Sequence, residues 1–168
     1  MIKLLKNKGF TLIELLAVLI ILGILITAVS IGVSSSMHNG RVSSTTSSLQ
    51  LFSSDMEIVL AEYGVFVIDQ AEDKRMQTLE FISMLEQYYM HTYFDKESLV
   101  VYDNYFEIAT STQLDGWDSP FLLRYNYAAS TAGTCMFISA GANMHFDNNY
   151  ANGDFGDDLI LIVSPKKN

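Results

Sequence analysis

From Leu15 to Val33 the chain reads LLAVLIILGILITAVSIGV, nineteen residues without a charge and with only Thr27 and Ser30 as polar side chains. At 1.5 Å rise per residue such a helix is roughly 28 Å long, close to the hydrocarbon thickness of a bilayer. A single segment at that depth has to satisfy every backbone polar group internally, and only a helix does so. Lys3, Lys6 and Lys8 precede the run. The positive-inside rule therefore keeps the first residues cytoplasmic and sends the body of the chain across. A secretory signal would have a shorter apolar core followed by a small-residue cut site. Ala28, Ser30 and Gly32 imitate such a site, but the run is too long for it.

Glu14 stands at the head of this run and is the only acidic residue before Asp55. A charge inside a membrane helix costs about 2.5–3.5 kcal/mol on insertion scales and usually has a partner. One reading places Glu14 at the interface, favoured by the positive end of its own helix dipole. Its neighbours add a second. Lys8-Gly9-Phe10-Thr11-Leu12-Ile13-Glu14 closely resembles the processing site of type IV pilins and the related pseudopilins. The resemblance implies a basic leader cut after Gly9 by a membrane prepilin peptidase, N-methylation of the new terminus at Phe10, and Glu14 at the fifth mature position. Gly23 falls at the fourteenth, where that family usually has glycine.

The residue types suit this chemistry. Gly9 has no side chain to obstruct a close approach by a protease. Cutting there creates an ammonium at Phe10, so each mature subunit carries one positive and one negative charge near its membrane end. Between staggered subunits Glu14 of one meets the Phe10 ammonium of another. Wrong packing leaves a charge unpaired in apolar surroundings, which is costly. Glu14 and Phe10 are thus the expected determinants of assembly register.

Beyond Val33 the stretch SSSMHNGRVSSTTSS, residues 34–48, is rich in poor helix formers. It is either a weak part of one long helix or a flexible linker. Leu49, Phe52, Met56, Val59 and Tyr63 then recur at steps of three and four, the period of a helix with one apolar face. Related pilins often have proline at mature position 22; here that position is Ile31. Residues 69–93 read as a second helix, with Asp69, Glu72 and Asp73 in its first turn and an apolar stripe of Met76, Leu79, Ile82, Leu85 and Tyr89. From about Leu99 the pattern changes to strands. Phe121, Leu123, Tyr125 and Tyr127 alternate with Leu122, Arg124 and Asn126, and TCMFISA and DLILIV are further strands. Helix first and antiparallel sheet after is an α+β arrangement, and the resemblance implies the same: a pilin fold with its long helix packed on a small C-terminal antiparallel sheet. The expected organisation is a cleaved leader, 1–9; a transmembrane or filament-core helix, 10–33; its amphipathic continuation, 34–63; and a globular head, 64–168.

Two C-terminal stretches have chemistry of their own. LDGWDSPF, residues 114–121, holds the turn formers Asp115, Gly116, Ser119 and Pro120 around Trp117, a candidate buried anchor. It resembles an Asp-x-Trp-x-x-Pro-aromatic stretch of major secretion pseudopilins and of several Gram-positive pilins. Further on, Asp147, Asn148, Asn149, Asn152, Asp154, Asp157 and Asp158 gather with Gly153 and Gly156 between two strands. Clustered hard oxygens are what Ca²⁺ requires, although the EF-hand spacing is not met. The pseudopilin resemblance implies one calcium ion held by Asp154, Asp157 and Asp158 with backbone carbonyls. The alternative is a solvated polar loop. Cys135 is the sole cysteine, so no internal disulfide closes this region, and a metal is the alternative clip.

The formal net charge of −9 disfavours nucleic acid as a partner. His38 and His91 have no second His or Cys at ligand spacing. A membrane-anchored hydrolase using the Asp-rich loop and His145 is the rival, but no Ser/His/Asp, Cys/His or HExxH pattern occurs and the carboxylates cluster in one loop, so an enzyme is not expected. The reading is a membrane-anchored precursor that becomes a filament subunit. The partners so implied are other copies or other pilins, the prepilin peptidase and methyltransferase, and an inner-membrane assembly platform. A secretion or competence pseudopilin, and a signal-anchored binding domain that never polymerises, are the alternatives.

Overall fold

The computed structural model describes residues 10–69, 73–89, 92–126, 133–146 and 155–165. Gly9, His91, Tyr127, Asp147 and Asp154, all named above, lie outside these residues. The chain divides into two compact units, Met1–Asn39 and Gly40–Asn168. The first helix, α1, spans Leu12–Glu62 and so includes residues of both. It passes through residues 34–48 without a break, and hydroxyls along it bond within the helix. Thr46 and Ser47 donate to the carbonyls of Val42 and Ser43, 2.8 and 3.0 Å away, one turn back. Thr27 and Ser30 do the same to Gly23 and Ile26, at 2.9 and 2.8 Å. Hydroxyls paired in this way keep to the helix even in an apolar stretch.

Within the first unit α1 is apolar all round, and its large side chains are exposed: Leu16, Ile20, Ile24 and Val29 are among them. A helix of this kind is stable only in lipid or among other helices. Its length and composition suffice to cross a membrane.

In the second unit α1 becomes amphipathic. Thr45, Leu49, Phe52, Met56, Val59 and Leu60 are buried. Tyr63, expected on the same stripe, is 58% exposed, because the helix has ended at Glu62 and Gly64 turns the chain at φ +76°. The second helix, α2, runs from Lys74 to Met84 and continues as a π-turn over Leu85–Tyr89. It begins later than expected because Asp73 is its cap: the Oδ1 atom accepts from Arg75 N and Met76 N at 3.0 and 3.2 Å. Such a cap contributes about 1 kcal/mol. The buried face is Thr78, Phe81, Ile82 and Leu85, a true i, i+3, i+4, i+7 set, while Met76 is exposed. Thr78 enters the core because its hydroxyl donates to Lys74 O at 2.7 Å and leaves nothing unsatisfied.

Five antiparallel strands follow in sequence order across one sheet: β1 Val100–Val101, β2 Phe106–Leu114, β3 Pro120–Tyr125, β4 Cys135–Ser139 and β5 Leu159–Val163. Phe106 pairs with Tyr125, Ile108 with Leu123, Tyr125 with Cys135 and Cys135 with Val163. Period-two alternation turns Phe121, Leu123 and Tyr125 into the core, each with no exposed area. They meet α1 and α2 there. Phe52 lies edge-on to Phe121 at 5.1 Å and stacks on Phe137 at 5.3 Å, and Phe81 meets Tyr125 at 5.2 Å. Burying one such ring contributes about 1.5–3 kcal/mol. β4 is buried along its whole length because its other face is covered too. Met136 and Ile138 lie under Leu122, Phe146, Phe155 and Ile160. Helix followed by antiparallel sheet is the α+β arrangement of a pilin fold.

Candidate functional site

The start of α1 shows how Glu14 is held. Thr11 is the residue before the helix, and Glu14 is its third residue. The Thr11 backbone N–H and its hydroxyl both donate to Glu14 Oε2, at 2.9 and 3.0 Å. In return Glu14 N–H donates to Thr11 Oγ1 at 3.4 Å. This reciprocal arrangement is a capping box, which satisfies two of the free N–H groups at a helix start. Its signature, Thr-x-x-Glu, stands openly in the sequence as Thr11-Leu12-Ile13-Glu14. Sequence reasoning took Glu14 for its charge and missed Thr11, its partner. Oε1 accepts no hydrogen bond among the described residues. Phe10 precedes the helix, in irregular backbone, with its ring 84% exposed. Gly9 lies outside the described residues.

In the second unit the Asp115 carboxylate organises the turn between β2 and β3. Its Oδ1 accepts from Trp117 N and Ser119 N, both at 2.9 Å, and its Oδ2 accepts from the Ser139 hydroxyl at 2.5 Å. Ser139 Oγ in turn accepts from Gly141 N at 3.2 Å. The turn docks on α1 through Gly116, whose N–H donates to Thr45 Oγ1 at 2.8 Å. A Cβ on Gly116 would lie 2.5 Å from the Arg41 carbonyl oxygen, so only glycine allows this approach. Trp117 is buried, as its sequence setting implied.

Of the acidic loop, Asp157 and Asp158 are described and Asp154 is not. Asp157 Oδ2 accepts from Asn143 N at 2.8 Å, and its backbone carbonyl presses on Gly141, which sits at φ +60°. Asp158 is largely buried. Among the described residues no three His, Cys, Asp or Glu side chains gather in a metal-holding group. His145 N donates to Asn143 Oδ1 at 2.6 Å, which makes it a member of the loop's own hydrogen bonding. Burial of Cys135 pushes its thiol pKa well above the usual thiol range. The unreactive thiol that results is a packing residue. Burial likewise raises the pKa of Tyr125, whose hydroxyl oxygen accepts from Phe66 N at 2.8 Å.

Residues 4–30 match the family model described as the prokaryotic N-terminal methylation motif. No curated protein and no solved structure matches the chain. The matched stretch includes the lysines Lys6 and Lys8, the Gly9–Phe10 junction, the Thr11–Glu14 cap and most of the apolar run. Over those residues the chain carries the signal of a type IV pilin or pseudopilin precursor, which supports a membrane-anchored form before processing.

Proposed function

We propose that the chain is a structural subunit, a type IV pilin, of an extracellular filament. Its precursor is cut after Gly9 and methylated at Phe10, and the mature subunit polymerises through α1. The methylation motif carries this reading. The start of α1 supports the processing step: Phe10, which would become the new terminus, lies before the helix in irregular backbone. The capping box supports the assembly step. Glu14 Oε2 is satisfied by Thr11 of its own chain, and Oε1 is left for the Phe10 ammonium of a neighbour. The exposed apolar surface of the first unit needs such neighbours once it leaves lipid. The partners are further pilin copies, the peptidase and methyltransferase, and an assembly platform in the membrane. Electron microscopy of the fraction sheared from producing cells tests the reading. Filaments labelled by antibody to the head support it, and cleaved chain confined to the membrane contradicts it.

A secretion or competence pseudopilin is the second reading, favoured by the Asp115-Gly116-Trp117 turn. The acidic loop before β5 motivates the proposal that one calcium ion binds at Asp154, Asp157 and Asp158. Asp157 and Asp158 supply hard oxygens of the type such an ion takes. A signal-anchored binding domain that does not polymerise is the remaining alternative. In each case the role is structural and not catalytic.

A further inference from the structure

Between Glu14 and Asp55 the chain carries a single formal charge, Arg41. Its place on α1 is fixed, because Gly116 lies against its backbone and Thr45, one turn on, accepts from Gly116 N at 2.8 Å. Its side chain is exposed. The other cations described in this unit are engaged. Lys74 pairs with Asp103 at 3.0 Å, Lys96 with Glu86 at 2.9 Å and Arg124 with Glu107 at 2.7 Å. Arg75 donates to the carbonyls of Leu99 and Lys96, at 2.8 and 3.1 Å. Arg41 alone has a side chain with neither an ion pair nor a hydrogen bond among the described residues.

The charge of the whole chain gives this cation its meaning. Loss of Lys3, Lys6 and Lys8 with the leader takes the formal side-chain charge from −9 to −12, since −9 − 3 = −12. Copies so acidic repel one another at short range. A guanidinium with no partner at home, on the helix through which copies associate, is the group best placed to offset that repulsion.

We propose that Arg41 pairs across subunits with a carboxylate of a second copy of this chain, drawn from the acids Asp55, Glu57 and Glu62 of its α1. The inference rests on the filament reading. If the helices run parallel and staggered, a second neighbour, displaced further along the axis than the copy whose Phe10 meets Glu14 (four residues, about 6 Å), brings later residues of its α1 beside Arg41. Those three acids lie 14, 16 and 21 positions further on, about 21–32 Å at 1.5 Å per residue. Leu51 and Ile58, 62% and 52% exposed on the same stretch, supply the apolar contact around the pair. Arginine suits such a site because its planar fork binds a carboxylate through two parallel hydrogen bonds. A copy docked out of register leaves the guanidinium desolvated and unpaired, so the pair selects the stagger.

The test is a charge swap in the full chain, expressed in cells that assemble it. Arg41→Glu should lower sheared polymer about ten-fold or more, with cleavage after Gly9 and the melting temperature of the detergent-solubilised subunit unchanged. A second change in the same chain, Asp55→Arg, Glu57→Arg or Glu62→Arg, should restore polymer for at least one of the three. Polymer unaffected by Arg41→Glu, or rescued by none of the three, overturns the inference while leaving the filament reading intact. A lowered melting temperature for Arg41→Glu also overturns it, by showing that the side chain acts within one subunit. Wild-type chain that forms no polymer overturns both.

Discussion

Glu14 has two demands on one carboxylate. Within its own chain it closes the capping box with Thr11, and between chains it is the proposed partner of the Phe10 ammonium. Glu14→Gln keeps an oxygen able to accept from Thr11 and removes the charge. It separates the two roles: the precursor should insert and be cleaved as the wild type is, while polymer yield falls at least ten-fold, measured by immunoblot of sheared and cell fractions. Equal polymer from the variant would show that the charge does not set register. Asp115 is the residue on which the head's turn depends, since three donors converge on it. Asp115→Ala leaves Trp117 N, Ser119 N and the Ser139 hydroxyl without that acceptor, at about 1–3 kcal/mol for each group that water cannot reach. Denaturant unfolding of the full chain in detergent should show a loss of about 2–4 kcal/mol; a loss under about 0.5 kcal/mol would mean the turn is held by other contacts.

Among the elements, those with an uninterrupted period were legible in the sequence. Leu49, Phe52, Met56 and Val59 mark the buried face of α1, and Phe121, Leu123 and Tyr125 that of β3. The failures came where local hydrogen bonding decides and periodicity does not. Asp73 caps α2 and so sets its start, Thr78 is buried because Lys74 O takes its hydroxyl, and Met76 in consequence faces out. At the candidate site Glu14 stood out in the sequence by its charge, but its partner Thr11 did not, because its role is that of a backbone cap. The acidic loop is the element whose proposed calcium remains to be tested. Thermal melting of the full chain in detergent should rise by several degrees with millimolar Ca²⁺ and fall back with chelator, by mass action on the folded form. An unchanged midpoint would leave a solvated loop, and a rise with Mg²⁺ as large as that with Ca²⁺ would mean screening of charge.

For the molecule as a whole, burial of Cys135 and Tyr125 links stability to alkaline pH. Both are acids whose pKa is raised in the folded chain, each first by desolvation. The folded state therefore holds these protons more tightly than the unfolded state. Their contribution is complete below the unfolded pKa values, about 8.5 for a thiol and about 10 for a phenol, and declines as pH rises through them. Each group lowers stability by about 1.4 kcal/mol per pH unit once its unfolded form ionises. Denaturant midpoints between pH 7 and 11 should fall in two stages, and Cys135→Ala should abolish the earlier one. A flat profile in the parent chain would contradict the burial of both groups.

Everything proposed about assembly depends on one covalent event, the conversion of a membrane-anchored precursor into a chain that begins at Phe10. Intact mass spectrometry of the protein from its producing cells reads that event directly. The account predicts a single species that has lost Met1–Gly9 and gained one methyl group at the new terminus. A mass that retains Met1, or one that places the cut near Ala28, would contradict it.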